Sequence, residues 1–539
     1  MPKFVFLWTD LVIWLVVAGT LVYIWHARGN AQTRATWRHV LHNAPAMCAA
    51  VVLSVMAVIA LLDSVHFRPR LAAAGAASET QVAYGTRTLS LLDVTLAFAT
   101  DSREKTYSAP LAYASFQKET NVVDGREVRD FPRLAFGGAH LKNPEREWQA
   151  DLWTRGLKGG FFGLLAAFAL ASLVAWLRAR LRFPSVTAAP SSGASRHPLP
   201  EGEGLVLPSP SGIGAGGEGG VSRNGFRQSL LDILSNRTEA PWRAMLITAT
   251  LLAALVGAIA ALWPWYHVLG TDRTGNDVLF QALKSIRTAI VIGSLSTMAT
   301  LPLAIALGIL AGYFKGWVDD AIQYLYTVLS SIPPILLVAA FVLLINVYID
   351  QNVESFETGV ERAEFRLFLL CLILGVTGWA TLCRLLRAET LKLSELDFVQ
   401  AARAFGVSHL RIMARHVLPN VMHLVLIVAV LDFSALVLYE AVLSYVGVGV
   451  DPNSSSFGSM INLARSEMAR EPAVWWNLAT AFAFMLTVVL AANLFADAVR
   501  EAFDPRARAF RPLRGRNALA RGSRMSGSPS PDPLPGEGA

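Results

Sequence analysis

The sequence predicts an all-α polytopic membrane protein, and three observations predict it. The 539 residues are 53% hydrophobic and only 16% charged, against about a quarter charged in a soluble globular protein, and the mean hydropathy is +0.43. About nine stretches reach the roughly 20 mostly apolar residues that a spanning helix needs. Lys and Arg crowd alternate loops between those stretches, the bias that sets membrane orientation. The net charge of +7 is therefore read as inner-face loops and not as a nucleic-acid surface.

The spans run near Leu7–Trp25, Ala44–Leu62, Gly159–Leu177, Met245–Trp265, Ala289–Gly312, Ala321–Val347, Leu367–Leu386, Met422–Val448 and Trp475–Asp497. Lys3 is the only early cation and no A-x-A site follows the first apolar run at once, so that run is a retained span and not a cleaved signal. Arg28, Arg34 and Arg38 place the first loop in the cytoplasm and the N-terminus outside. Residues 1–62 then hold two spans, 63–158 form a small extracytoplasmic domain with β-prone stretches at Gln81–Tyr84 and Thr88–Leu91, and 159–182 hold the third span. From Ser185 the chain turns to Pro, Gly and Ser, a composition that cannot bury enough apolar surface to order itself. Residues 183–240 are thus a disordered cytoplasmic linker and 506–539 a disordered cytoplasmic tail; PLPEGEG in the linker is echoed by PLPGEGA at the C-terminus. Cys48, Cys371 and Cys383 each lie in an apolar run with no CxxC and no histidine pair nearby, so they are core residues.

Alternation places the cationic stretch Val399–Asn420, VQAARAFGVSHLRIMARHVLPN, inside. Good helix formers fill Leu391–Phe405. Gly406 permits the left-handed conformation that ends a helix, Ser408 can cap a second helix over His409–His416, and Pro419 is expected to stop that helix before the next span. Leu396, Val399 and Ala402 share one face and Phe405 extends the stripe. The spacing predicts a helix–turn–helix on the inner membrane surface that offers small and apolar residues to a partner groove; anchoring on anionic lipid is the plainer alternative.

This loop, 389–420, resembles the EAA loop of binding-protein-dependent ABC importer permeases, through Ala401, Ala402, Gly406, Leu418 and Pro419, with Gln400 where the motif has Glu. Three more signatures of the dipeptide/oligopeptide branch stand in order. They are His267-Val-Leu-Gly-Thr-Asp-Arg-Thr-Gly-Asn-Asp-Val278, Leu443-Ser-Tyr-Val-Gly-Val-Gly449, and a closing Asn493, Asp497, Arg500, Asp504, Pro505. The resemblance implies a six-helix type I permease core over 241–505, preceded by the three extra spans and the outer domain, which it does not cover. It implies that Gln400, Ala401, Ala402, Gly406, Leu418 and Pro419 couple to a cytoplasmic ATPase. It further implies a second permease subunit, two ATPase domains that bind the ATP, an extracytoplasmic solute-binding protein, and a place in the bacterial inner membrane with the C-terminus in the cytoplasm. Peptides are the expected cargo, and no nucleic acid is expected as a partner.

No cofactor or metal is expected in this chain. There is no G-x-x-x-x-G-K-[ST] loop for nucleotide phosphates, so the chain is not expected to hydrolyse ATP. There is also no H-E-x-x-H or G-x-S-x-G to support an intramembrane hydrolase. Asp272 to Asp277 suggest a calcium loop, but the spacing is wrong; Gly270 and Gly275 read as turn residues and Asp277 as a helix cap. Pro333 and Pro334 are expected to kink the sixth span and are gate candidates. Asp432 and Glu440 fall near one face of the eighth span, where acids are costly and face a cavity or the bundle interior; they are pathway candidates, against the alternative that Ser434 and Ser444 satisfy them. An ion-coupled secondary transporter is the competing function, and it leaves the cationic loop unexplained.

Overall fold

The computed structural model describes residues 3–70, 84–85, 88–123, 126–181, 240–451 and 454–503. Gln81–Ala83, Arg182, most of the linker, Asp504, Pro505 and the tail lie outside the described residues. Among the described residues nine helices are long and apolar enough to cross a membrane, and the chain is a multi-pass membrane protein.

The N-terminal part comprises α1 (Trp8–Gly29), α2 (Ala31–His42) and α3 (Ala44–Asp63). Two short helices follow, α4 (Leu91–Thr95) and α5 (Ala97–Asp101), and then the long α6 (Pro144–Leu181). α6 starts well before the predicted span at Gly159. A three-stranded antiparallel sheet joins β1 (Lys3–Val5), β2 (His66–Arg68) and β3 (Leu89–Ser90), with Phe4 opposite Phe67. The N-terminus and the segment after α3 therefore share one side of the membrane. β4 (Glu119–Val123) and β5 (Arg126–Asp130) make a separate hairpin.

The core runs α7 (Trp242–Leu262), α8 (Val278–Phe314), α9 (Gly316–Ser331), α10 (Pro334–Gln351), α11 (Gly359–Gly378) and α12 (Ala380–Ser394). It ends with α13 (Asp397–Ala404), α14 (His409–Ile412), α15 (Leu418–Val446), α16 (Phe457–Met468) and α17 (Trp476–Phe503). Asp277 caps α8 by accepting from the Phe280 N–H at 2.9 Å, and that cap and the predicted span Ala289–Gly312 belong to one helix of 37 residues. α8 is the central strut, packed against α11, α12 and α15.

Two expectations about proline are corrected. The predicted span Ala321–Val347 is two helices. A residue before proline is driven out of the helical region, and Ile332 is extended (φ −89°, ψ 131°), so Pro333 ends one helix and Pro334 opens the next instead of kinking one rod. Pro419 stops nothing. A π-helical stretch at Met413–Val417 links α14 to α15, and such a widened turn absorbs the missing N–H and the ring's clash with the preceding turn. The predicted helix Leu391–Phe405 is also divided, between α12 and α13.

The added N-terminal spans are built into the core. α1 packs on α8 and α11, and α3 on α7, α8 and α17. α6 lies along α7 with backbones nearly touching: a Cβ on Gly163 would meet the Ala253 carbonyl oxygen at 2.1 Å, and one on Gly159 the Gly257 oxygen at 2.4 Å. Small residues at this spacing let membrane helices approach closely enough for dispersion to hold them. Cys371 and Cys383 are buried, Cys48 is half-buried, and all three are free thiols.

Candidate functional site

The cationic loop is held from beneath and bare on top. Val399 is fully buried and Ala402 and Val407 pack on the same cluster. α13 ends as the sequence predicts. Gly406 has φ +72°, its N–H donates to the Arg403 carbonyl at 3.0 Å, and the Val407 N–H donates to that of Ala402 at 3.1 Å, the paired bonds of a Schellman cap. A Cβ on Gly406 would meet nothing within 4 Å, so the left-handed backbone and not crowding within the chain demands glycine. Ser408 sits at the next N-cap but makes no side-chain capping bond.

Phe405 leaves the predicted stripe: it is 86% exposed, with Leu410 at 76%, and Gln400 and Ala401 are exposed beside them. Gln400 turns back on its own chain, donating to the Glu395 carbonyl at 3.0 Å. Leu418 and Pro419 lie at the root of the loop as the first turn of α15. The sequence reading missed the anchor. The Arg403 guanidinium stacks over the Tyr313 ring at 4.4 Å, the Tyr313 hydroxyl lies 2.9 Å from His409 Nδ1, and Lys315 pairs with Glu395. An aromatic residue at the end of a span, facing a cationic loop, was the available signal.

Asp432 and Pro334 meet in one cavity of about 560 Å³, lined also by Thr377, Arg384, Leu436 and Tyr439. Pro333 is not part of its wall. Glu440 is elsewhere, and its place among the pathway residues is not what its surroundings suggest. Its carboxylate accepts from Ser444 Oγ at 2.6 Å and Ser456 Oγ at 3.0 Å. A Cβ on Gly458 would come within 2.7 Å of it, and one on Gly449 within 2.0 Å of Ser444 Oγ. Glu440 thus ties the end of α15 to the start of α16, and Gly449 of the Leu443–Gly449 signature and Gly458 of α16 make room for that tie. Ser444 satisfies the acid as the alternative reading expected; Ser434 Oγ has no partner.

The signature loop 267–278 holds the outer segment. Gly270 and Gly275 both have φ +76°, and a Cβ on Gly275 would fall 1.8 Å from the Glu104 carbonyl oxygen. Thr271 Oγ1 accepts from the Ser108 N–H at 2.6 Å and donates to the Thr106 carbonyl at 2.9 Å. Asp272 organises the loop instead of a cation, accepting from the Thr274 and Asn276 N–H groups at 2.8 and 2.9 Å. Beneath them, His267 Nδ1 and Asp277 Oδ2 are 2.9 Å apart, and His267 Nε2 faces Glu104 Oε1 at 3.6 Å, an ion pair beyond hydrogen-bond reach. Burial alone would discharge His267, but Asp277 and Glu104 overcome it and lift its pKa to about 9. Burial would likewise raise the Glu104 carboxyl, yet His267 and the N–H groups of Ala135, Phe136 and Gly137 hold it at about 2.

A second buried network joins N-terminal part to core. Arg287 on α8 donates to Asp10 on α1 at 2.6 Å and to Glu364 on α11 at 2.8 Å. Asp10 also takes His66 at 2.8 Å. Acids and bases inside apolar runs were the sequence signal for such a pairing; which of them meet was not readable.

Nine helices long enough to cross a membrane among the described residues, a cavity walled by α8 to α12 and α15, and a pinned and bare-topped loop are the parts of the membrane subunit of a transporter. The family model "Binding-protein-dependent transport system inner membrane component" matches residues 304–509. The oligopeptide transport system permease protein OppC of Mycobacterium tuberculosis is 30% identical over 245 residues, covering 46% of this chain and 78% of that protein. OppC of Haemophilus influenzae is 30% identical over 243 residues, covering 45% and 71%. A chain of the MetNI methionine ABC transporter is similar at TM-score 0.32 and 17% identity, covering 42% of this chain and 96% of that one. The chain belongs to the family of binding-protein-dependent transport system inner membrane components, and it is a permease subunit of an ABC importer.

Proposed function

We propose that this permease subunit forms half of a pathway that carries peptides inward, and that loop 389–420 couples it to a cytoplasmic ATPase. The observation that carries the coupling reading is the bare tip at Phe405 and Leu410, held out on a helix whose underside is fixed by Val399, Ala402 and the Tyr313–Arg403 stack. An exposed aromatic beside small residues is the pattern of an interface anchor. Gln400, Ala401 and Gly406 form the ATPase-facing surface, Ala402 packs beneath it, and Leu418 and Pro419 are its root. The cavity at Asp432 and Pro334 supports a place on the pathway for both, with Pro333 and Pro334 breaking the helix at its wall. The peptide cargo follows the names of the OppC relatives.

The partners are then a second permease subunit, two ATPase domains that hold the ATP, and an external solute-binding protein. The chain does not hydrolyse ATP itself, and it lies in the bacterial inner membrane with its N-terminus outside and C-terminus inside. Affinity purification of the tagged chain tests the coupling, with ATPase recovery as the readout. Phe405→Ala and Leu410→Ala together are expected to lose the ATPase while leaving the chain in the membrane. Undiminished ATPase recovery with the double variant sinks the coupling role.

A further inference from the structure

A second cavity, of about 390 Å³, lies where the N-terminal segment meets the core, at the end of α8 away from the cationic loop. The N-terminal segment supplies Asp63, Thr88 and Asp93 to its wall; the core supplies Lys284 and the first turn of α11. It shares no lining residue with the Asp432 cavity.

Among the described residues, three polar groups in this wall lack a hydrogen-bond partner: Thr88 Oγ1, Asp63 Oδ1 and Arg362 Nε. Thr88 is 8% exposed and Asp63 2%, and buried polar groups are rarely left unpaired. The neighbouring charges are taken. Lys284 Nζ is 2.8 Å from Asp93 and only at ion-pair distance, 3.7 Å, from Asp63 Oδ1; Arg287 is held by Asp10 and Glu364. Arg362 has no ion pair among the described residues.

α11 adds a directional cue. Thr358 caps it by accepting from the Glu361 N–H at 3.3 Å, while Gly359 and Val360 line the cavity, and a Cβ on Gly359 would meet nothing within 4 Å. A helix N-terminus of this length favours a negative group, and Arg362 stands in the same turn. The other charges of the wall are paired, Asp93 with Lys284, Glu364 with Arg287 and Asp451 with Arg366, which leaves one acid, Asp63 at 3.7 Å from the shared Lys284, and one base, Arg362. A bare anion would leave Asp63 unanswered, and a bare cation would leave Arg362 so. A molecule bearing both charges answers both ends.

We propose that this outer cleft binds a small α-amino-carboxylate, its carboxylate on Arg362 and the first turn of α11 and its ammonium on Asp63 Oδ1 and Thr88 Oγ1. A free amino acid and the termini of a short peptide present the same groups. The cleft is a binding site added to the import pathway and stands without the peptide reading.

The test is equilibrium dialysis of the full chain in lipid nanodiscs, with radiolabelled alanine and dialanine as separate probes. Saturable binding of either probe is expected, and the one that binds tells the amino acid from the peptide. Arg362→Gln and Thr88→Val should each weaken it, the former about tenfold, the scale of one charge-assisted hydrogen bond. Neither substitution orphans a partner, so folding is kept. Alaninamide and N-acetylalanine should not compete. No saturable binding of either probe up to about 10 mM, a Kd scale at which binding is weaker than about 3 kcal/mol, overturns the proposal. So does competition by alaninamide, or binding lost in Asp432→Asn and kept in Arg362→Gln; that last result moves the site to the membrane cavity and leaves the import reading standing.

Discussion

Replacing Glu104 by Gln should loosen the outer segment from the core without unfolding the membrane bundle. Glu104 is 6% exposed and serves both sides of the contact, accepting from Ala135, Phe136 and Gly137 at 2.8 to 3.1 Å while facing His267. Holding a carboxyl near 2 instead of its ordinary 4.5 corresponds to about 3 kcal/mol. Lifting His267 from 6.5 to about 9 gives a similar figure, but the two share one interaction and do not add. Gln keeps one acceptor oxygen, so the expected loss is about 2–3 kcal/mol, which accelerates local opening roughly 30- to 150-fold. Hydrogen exchange resolves this, because the Thr271 N–H donates to Ser108 and the Leu111 N–H to His267 across the contact. Protection should fall in 103–111 and 267–278 and hold in α11, α12 and α15. The wild type adds a pH test with a fixed sign. The Glu104 contribution is present above 4.5 and is lost as pH falls through about 2; that of His267 is present below 6.5 and is lost as pH rises through about 9. Rate-corrected exchange at 103–111 should therefore quicken between pH 6.5 and 9. Unchanged exchange in Glu104→Gln, or a rise spread over the whole chain, would refute the reasoning.

Three other outcomes follow from the packing. Gly163→Val forces α6 off α7, since no side chain clears a carbonyl oxygen at 2.1 Å; with a protease site placed in the linker, the cleaved halves of the variant should come apart on heating at a lower temperature than wild-type halves, as overpacking costs about 1–3 kcal/mol or more. Asp10→Asn leaves Arg287 with Glu364 and the Thr9 hydroxyl and should lower thermal stability by about 3 kcal/mol; adding Arg287→Gln strands Glu364 and should lower it further, but by less than Arg287→Gln lowers the wild type, a coupling that a double-mutant cycle reads. Asp432→Asn should reduce peptide uptake by the assembled transporter while expression is unchanged; uptake equal to wild type removes Asp432 from the pathway.

The sequence made some of this legible and hid the rest for physical reasons. Spans are set by composition over about 20 residues, so their number and approximate places were readable, as were the left-handed Gly406 and the Asp277 cap, which depend on neighbours in the chain. Helix breaks depend on where a missing N–H can be absorbed. Pro334 and Pro419 carry the same chemistry, yet one opens a separate helix and the other rides in a π-turn. Glu440 and Asp432 were indistinguishable as acids in an apolar run. What separates them is Ser456, sixteen residues downstream of Glu440, and no local pattern reports that meeting. The contact of Glu104 with His267 is further still from local reading, because 163 residues separate its neighbours Ser108 and Thr271.

That long-range contact changes what the N-terminal addition is. α8 starts at Asp277 beside His267 and Glu104 and ends beside Tyr313, which grips Arg403 of the cationic loop. Its 37 residues make a rod of about 55 Å at 1.5 Å per residue. One helix, with Pro302 in its interior, therefore has the segment around Glu104 fixed to one end and the cationic loop, proposed above to meet the ATPase, fixed to the other. Arg287, two turns in from the outer end, ties the same rod to α1 and α11. A tilt of α8 driven at the loop must displace that segment, bend the helix at Pro302, or break a buried ion pair at a cost of about 3–5 kcal/mol. The added spans are thus carried with the core, and the outer cleft, with Lys284 and Arg287 of α8 in its wall, is placed where that motion would change its shape.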